Sequence, residues 1–318
     1  MIRKPIRLLS LLVALCLFLS ACGKGSRTET TAQTAAQTGS AQKDLYTIKN
    51  RYDIDESYFK EQKGVDYGKI IKNQSYYSTV AGDEKQCNIL LPAGYDASLT
   101  YPAMYVLHGF WGSHSTLIND GAFLPLLYGN MLAKKQTVPM IFVGVDMYTD
   151  KAADKEHMSD AQKRPAYDKF ITEIHTDLMP FIEKTYPVSK ERRETAIAGY
   201  SEGGGKALCI GFTYLDEFGY IASFAPNTGV IPTDFYKGSF WSKPYMEAFP
   251  EPTADNTPYY LYMAVGDQDP YCLESTLYYR DALDDMHIRN QTDLVEGYEH
   301  DKVFWGQCFY NFFTKAFQ

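Results

Sequence analysis

A serine between two glycines, Gly199-Tyr200-Ser201-Glu202-Gly203, stands directly after one apolar run and before a helical one. A hydroxyl is a weak nucleophile until a base takes its proton, and the base needs an acid that orients it and balances its charge. The glycines allow the sharp strand-to-helix turn that holds such a serine clear of its surroundings. Where this turn operates, the partners follow in the order serine, acid, histidine. Only His287 and His300 follow Ser201; His287 closes a helical run, whereas His300 lies in a loop after the last apolar run, so His300 is the candidate base. The acid is expected after the preceding strand, where the chain reads Gly266-Asp267-Gln268-Asp269-Pro270. Either Asp267 or Asp269 could orient His300, and the other would cap the amides of its own turn. An oxyanion needs two donors: the amide of Glu202, next after the nucleophile, and one from the loop after an earlier strand. Leu107-His108-Gly109-Phe110-Trp111-Gly112 occupies that place, and Gly109 frees the backbone to present the Phe110 amide. His108 reads as a structural hydrogen bonder; His114, His157 and His175 read as surface or packing residues.

Positioning these groups requires a sheet. Short apolar runs bounded by turn residues predict strands at Cys87–Leu91, Ala103–Leu107, Met140–Val145, Thr195–Tyr200, Tyr220–Phe224, Tyr259–Val265 and Thr292–Val295. Helical spacing is clearest over Ala166–Lys184 and recurs at Glu202–Thr213, Glu274–Met286 and Lys302–Lys315. Regular alternation of strand and helix predicts an α/β domain, a single mostly parallel sheet with helices on both faces. Ligands of such sheets bind beyond the carboxyl ends of the strands, where Ser201, His300 and both aspartates fall.

The 318 residues, 45% hydrophobic and 22% charged, have an ordinary globular composition. A net charge of −8 argues against nucleic acid as a partner. The 26 tyrosines suit surfaces that meet sugars or flat ligands, and Trp111 and Trp241 are candidate platforms for an aromatic acyl group or a sugar ring, or else core residues. Arg3, Lys4 and Arg7 precede the apolar stretch Leu8–Leu19, which is too short to span a membrane and fits a signal-peptide core. Residues 1–21 are therefore expected to be removed, residues 22–43 to form a polar tether, and 44–67 an N-terminal extension. Cys87, Cys209, Cys272 and Cys308 remain in the body; Cys272 and Cys308 could pair or be two buried thiols. No Cys-x-x-Cys or paired-histidine spacing suggests a metal, and the chemistry calls for no cofactor.

Several ordered motifs carry a family resemblance. Leu19-Ser20-Ala21-Cys22 resembles the lipobox of bacterial lipoproteins, which implies an exported protein anchored to the membrane, facing outward, through lipid on Cys22. Tyr76-Tyr77-Ser78, Asn88-Ile89-Leu90-Leu91-Pro92-Ala93-Gly94-Tyr95 and Tyr101-Pro102-Ala103-Met104-Tyr105-Val106-Leu107-His108-Gly109 look like the bacterial feruloyl and acetylxylan esterases of carbohydrate esterase family one, relatives of esterase D. Ala196-Ile197-Ala198-Gly199-Tyr200-Ser201 and Ala225-Pro226-Asn227 look like that family's nucleophile strand and following loop. The resemblance implies an α/β-hydrolase esterase domain over residues 68–318. It implies a serine esterase acting on feruloyl or acetyl groups of ester-substituted polysaccharide such as xylan, or on a small aromatic ester. It also implies Asp269 as the acid, because the family's acid follows a glycine by three, as Asp269 follows Gly266. The chain departs from the family at Glu202, usually Met, and at Tyr298-Glu299-His300, usually Gly-Gly-His. A carboxylate turned inward at Glu202 would oppose the oxyanion, so it is expected to point away. Other readings of the same residues are a thioesterase or acyltransferase of this fold, or an inactive glycan-binding lipoprotein.

Overall fold

The computed structural model describes residues 52–151 and 155–318; the expected signal peptide, Cys22 and the tether lie outside them. Eight strands, β1 (Lys69–Ser78), β2 (Asp83–Leu91), β3 (Ala103–Leu107), β4 (Ile141–Gly144), β5 (Thr195–Tyr200), β6 (Tyr220–Phe224), β7 (Tyr260–Gly266) and β8 (Gln291–Val295), form one sheet in the order 1-2-4-3-5-6-7-8. Strands β3 to β8 are parallel, while β1 and β2 form an antiparallel margin. This is the α/β-hydrolase architecture. The parallel strands are nearly continuous apolar runs because both faces are covered. In β3, Ala103, Tyr105 and Leu107 enter one core layer and Met104 and Val106 the other, as the two-residue period of a strand requires.

Helices α1 (Phe123–Ala133) and α6 (Lys302–Phe313) pack on the Met104 face. The Tyr105 face carries α2 (Asp160–Glu173), α3 (Met179–Thr185), α4 (Glu202–Thr213) and α5 (Leu273–Asp285). The helical pattern at 166–184 is two helices, α2 and α3, joined by a wider π-type turn at Ile174–Leu178. Strand β1 and helix α1 were not expected from the apolar pattern. Of the N-terminal extension, Tyr58 lies buried with its ring edge-on to Tyr310, and the Tyr67 hydroxyl donates to Asn130 of α1. Cys272 and Cys308 are both free and buried, which decides against a disulfide.

Candidate active site

Strand β5 ends at Tyr200, and the chain turns into α4 through Ser201, whose φ of 55° is left-handed. A side chain in that region costs on the order of 1–3 kcal/mol, so the surroundings must hold it there. They do so by hydrogen bonds from Ser201 N to Phe224 O (2.9 Å) and from Asn227 N to Ser201 O (3.2 Å). The flanking glycines are a steric necessity. A Cβ on Gly199 would stand 2.3 Å from Gly203 O, and one on Gly203 2.4 Å from His108 O.

The loops after β7 and β8 bring the partners. His300 Nε2 lies 3.0 Å from Ser201 Oγ, and its Nδ1 lies 2.7 Å from Asp269 Oδ2. Asp269 is buried, and its other oxygen accepts from the amides of Tyr271 and Cys272, each at 2.9 Å. Asp267 points elsewhere. Its Oδ1 accepts from Gly297 N at 2.7 Å and ties the β7 loop to the β8 loop. With Asp269 on Nδ1, the imidazole carries its proton there and leaves Nε2 to accept from the serine. Asp301, beside His300, caps α6 by accepting from Val303 N and Phe304 N.

Leu107 of β3 is in register with Gly199 of β5, so the loop carrying Phe110 begins beside the serine; a Cβ on Gly109 would stand 3.6 Å from Ser201 Cβ. Among the described hydrogen bonds the amides of Phe110 and Glu202 donate to no other protein group. His108 accepts from Met147 N at 3.2 Å through Nε2, while Nδ1 donates to Gly109 O at 2.5 Å; burial holds its pKa below the ordinary value. That fixes the bend preceding Phe110. His114 lies 2.9 Å from Asn73, His175 pairs with Glu217 at 2.5 Å, and His287 occupies a left-handed turn after α5.

The Glu202 carboxylate turns into the protein. It accepts from Asn227 Nδ2 (2.6 Å) and the Tyr245 hydroxyl (2.7 Å) and lies 3.8 Å from Arg164 and 3.7 Å from Lys206. Asp168 accepts from both cations, at 2.9 Å and 2.7 Å. The cluster thus balances two carboxylates against two cations. Burial draws the Lys206 ammonium below its ordinary pKa, and Glu202 and Asp168 pull it back. Arg164 also donates to the carbonyls of Phe240 and Lys243, and the Tyr245 ring lies beneath Arg164 and Lys206. The cluster therefore fastens the long β6–β7 connection to α2 and α4. The residue types gave one signal for it: Arg164/Asp168 and Glu202/Lys206 are each opposite charges four apart on a helix.

That connection closes a cavity of about 460 Å³ against Ser201 and His300. Trp111 and Trp241 both line it, with ring centroids 6.4 Å apart; Trp241 also meets Phe110 edge-on at 4.8 Å. Tyr236, Tyr271 and Cys272, none singled out by sequence patterning as binding residues, also line it, as do Asn227 and Thr228. Burial and the neighbouring Asp269 push the Cys272 thiol well above its ordinary pKa, so it offers no competing nucleophile. Asp269, Cys272 and His300 lie close enough to share an ion, but the hydrogen bonds above already engage both Asp269 oxygens and both ring nitrogens of His300.

Sheet order, turn and side-chain relay define an α/β-hydrolase with a serine, histidine and aspartate in hydrogen-bonded sequence. The chain belongs to the Esterase family, which matches residues 78–311. It is similar to a ferulic acid esterase of carbohydrate esterase family one from Anaeromyces mucronatus, solved with ferulic acid: 28% identity, 85% of this chain, 98% of that one and a TM-score of 0.74. It is also similar to an endo-1,4-beta-xylanase/feruloyl esterase of Xylanibacter ruminicola, 22% identical over 80% of this chain. The chain spans only 32% of that relative's length. The feruloyl esterase module of Clostridium thermocellum, solved with sinapinate, shares the fold at a TM-score of 0.62 and 17% identity over 85% of this chain and 95% of that one.

Proposed function

We propose that the protein is a serine carboxylic-ester hydrolase that removes feruloyl groups, and more slowly acetyl groups, from plant cell-wall polysaccharide such as xylan. The observation that carries the reading is the Ser201–His300–Asp269 relay at the mouth of a cavity walled by Phe110, Trp111 and Trp241. An acetyl group would leave most of about 460 Å³ unfilled, whereas a phenolic acyl group finds flat apolar walls on which to stack. The ferulic acid esterase of Anaeromyces mucronatus and the endo-1,4-beta-xylanase/feruloyl esterase of Xylanibacter ruminicola, to which the chain is similar, support the same choice.

His300 Nε2 takes the Ser201 proton as Oγ attacks the ester carbon. The amides of Glu202 and Phe110 receive the developing oxyanion, and the inward turn of the Glu202 carboxylate keeps its charge engaged elsewhere. His300 then returns the proton to the departing sugar oxygen. A water activated by the same imidazole releases the acid from Ser201. Asp269 holds the ring in the tautomer both half-reactions need.

The lipobox-like Leu19-Ser20-Ala21-Cys22 supports export and lipid anchoring, which would hold the enzyme at the outer surface of the membrane where polymers are met. Hydrolysis of methyl ferulate and of acetylated xylan by the wild type and by Ser201→Ala tests the catalytic reading. Release of neither acid by the wild type would end it. For the anchor, Cys22→Ala should move the protein from the membrane fraction to the soluble fraction, and retention in the membrane would refute it.

A further inference from the structure

An ester has two halves, and the acyl cavity accounts for one. The leaving oxygen must face His300 Nε2, because that nitrogen returns the proton, so the alcohol half departs on the His300 side of Ser201. There the Tyr271 ring meets His300 edge-on at 5.6 Å and is 63% exposed. Tyr236, 51% exposed, donates its hydroxyl to the carbonyl of Pro270, the residue before Tyr271, at 3.1 Å. Tyr236 has a φ of 52°, a left-handed conformation that a bulky residue adopts only when its surroundings impose it. Aromatic rings left half or more exposed beside His300 present apolar area that a ligand can cover.

Both rings line the acyl cavity on one side. On the other they line a second groove of about 460 Å³, walled further by Phe235, Pro270 and Leu273, with Glu274 at its polar edge. The cavity and the groove therefore adjoin at the two tyrosines, with Ser201 and His300 in the lining of the first and Asp269 in that of the second. Flat apolar rings flanked by a carboxylate are the chemistry that holds a sugar: ring C–H faces lie on the aromatics and hydroxyls donate to the acid.

Resting on the esterase reading above, we propose that Tyr236 and Tyr271 form a subsite for the glycosyl half of the substrate. The groove beyond them would hold the neutral sugar whose hydroxyl carries the acyl group. Specificity for a sugar ester over a simple alkyl ester then resides in this pair, separate from recognition of the acyl group.

The test compares kcat/KM for a feruloylated arabinoxylan oligosaccharide with that for methyl ferulate, in the wild type, Tyr236→Ala and Tyr271→Ala. The ratio cancels any change at the acyl cavity, which both esters share. A stacked ring contributes enough that each substitution should lower the ratio by about three- to tenfold, mainly through KM for the oligosaccharide. Thermal unfolding of each variant checks that it is folded; both side chains are exposed, so little change is expected. An unmoved ratio in both variants overturns the subsite. So does a ratio that falls instead on Val303→Asp, in the separate groove beside Trp305. If the wild type hydrolyses neither ester, the esterase reading fails and the subsite with it. If it hydrolyses both and the ratio stays fixed, only the subsite fails.

Discussion

Replacing Asp269 by Asn removes a charge and almost no volume, and its consequence follows from three hydrogen bonds. Oδ1 accepts from two amides at 2.9 Å, so the Asn carbonyl oxygen keeps that position and the amide NH₂ takes the place of Oδ2. His300 Nδ1 then faces a donor at about the 2.7 Å at which it now faces an acceptor. The ring can keep that contact only by giving up its Nδ1 proton, which places the proton on Nε2, where it can no longer accept from Ser201. Wrong-tautomer variants of this kind lose about ten-thousand-fold in kcat, or about 5.5 kcal/mol of transition-state stabilisation. Asp267→Asn keeps its oxygen on Gly297 N and should stay within about threefold of wild type, since that contact holds only a loop. The assay is kcat and kcat/KM on methyl ferulate for both variants, with circular dichroism to confirm the fold. Loss of less than about tenfold in Asp269→Asn, or an equal loss in Asp267→Asn, would refute the assignment.

Three further outcomes are expected. Trp241→Ala should lower kcat/KM for methyl ferulate by about tenfold or more while changing p-nitrophenyl acetate much less, since on the proposed reading an aromatic acyl group stacks on that wall and an acetyl group is too small to do so; equal losses would count against the cavity. Glu202→Ala leaves Arg164 and Lys206 buried opposite a single carboxylate and should cost about 3–5 kcal/mol in urea unfolding, whereas a cost near zero would mean the cluster is not holding the loop. His108 is held neutral by burial, with its folded pKa below the unfolded 6.5. Its contribution is therefore complete above about pH 6.5 and declines as the pH falls, by at most about 1.4 kcal/mol per unit. The stability difference between wild type and His108→Gln should accordingly shrink from pH 7 to pH 5, and a difference that grows would contradict the buried neutral imidazole.

The turn at Ser201 was legible because steric demands there leave few residue choices. Thr195–Tyr200 and Glu202–Thr213 are observed with the boundaries that the apolar run and the helical spacing predict, and the two glycines mark the only backbone the turn tolerates. Strand β1 escaped because Lys69–Ser78 is a margin strand, largely exposed, whose polar residues hide the two-residue period. Helix α1 escaped for the opposite reason. It is apolar on nearly every side and contains Pro125 and Gly129, and the glycine is where Tyr67 packs, 2.4 Å from where a Cβ would stand. Residue types left Asp267 and Asp269 equivalent; burial and the direction of each carboxylate separate them, and both depend on where the β8 loop lies. The Glu202 cluster draws on α2, α4 and the β6–β7 connection, so its parts meet only after folding.

The central claim is that Ser201 is the activated nucleophile, and covalent trapping tests it most directly. A fluorophosphonate probe followed by peptide mass spectrometry should place one label on Ser201 in the wild type, greatly slowed labelling in His300→Ala and none in Ser201→Ala. A label on another residue, or undiminished labelling of Ser201→Ala, would contradict the account.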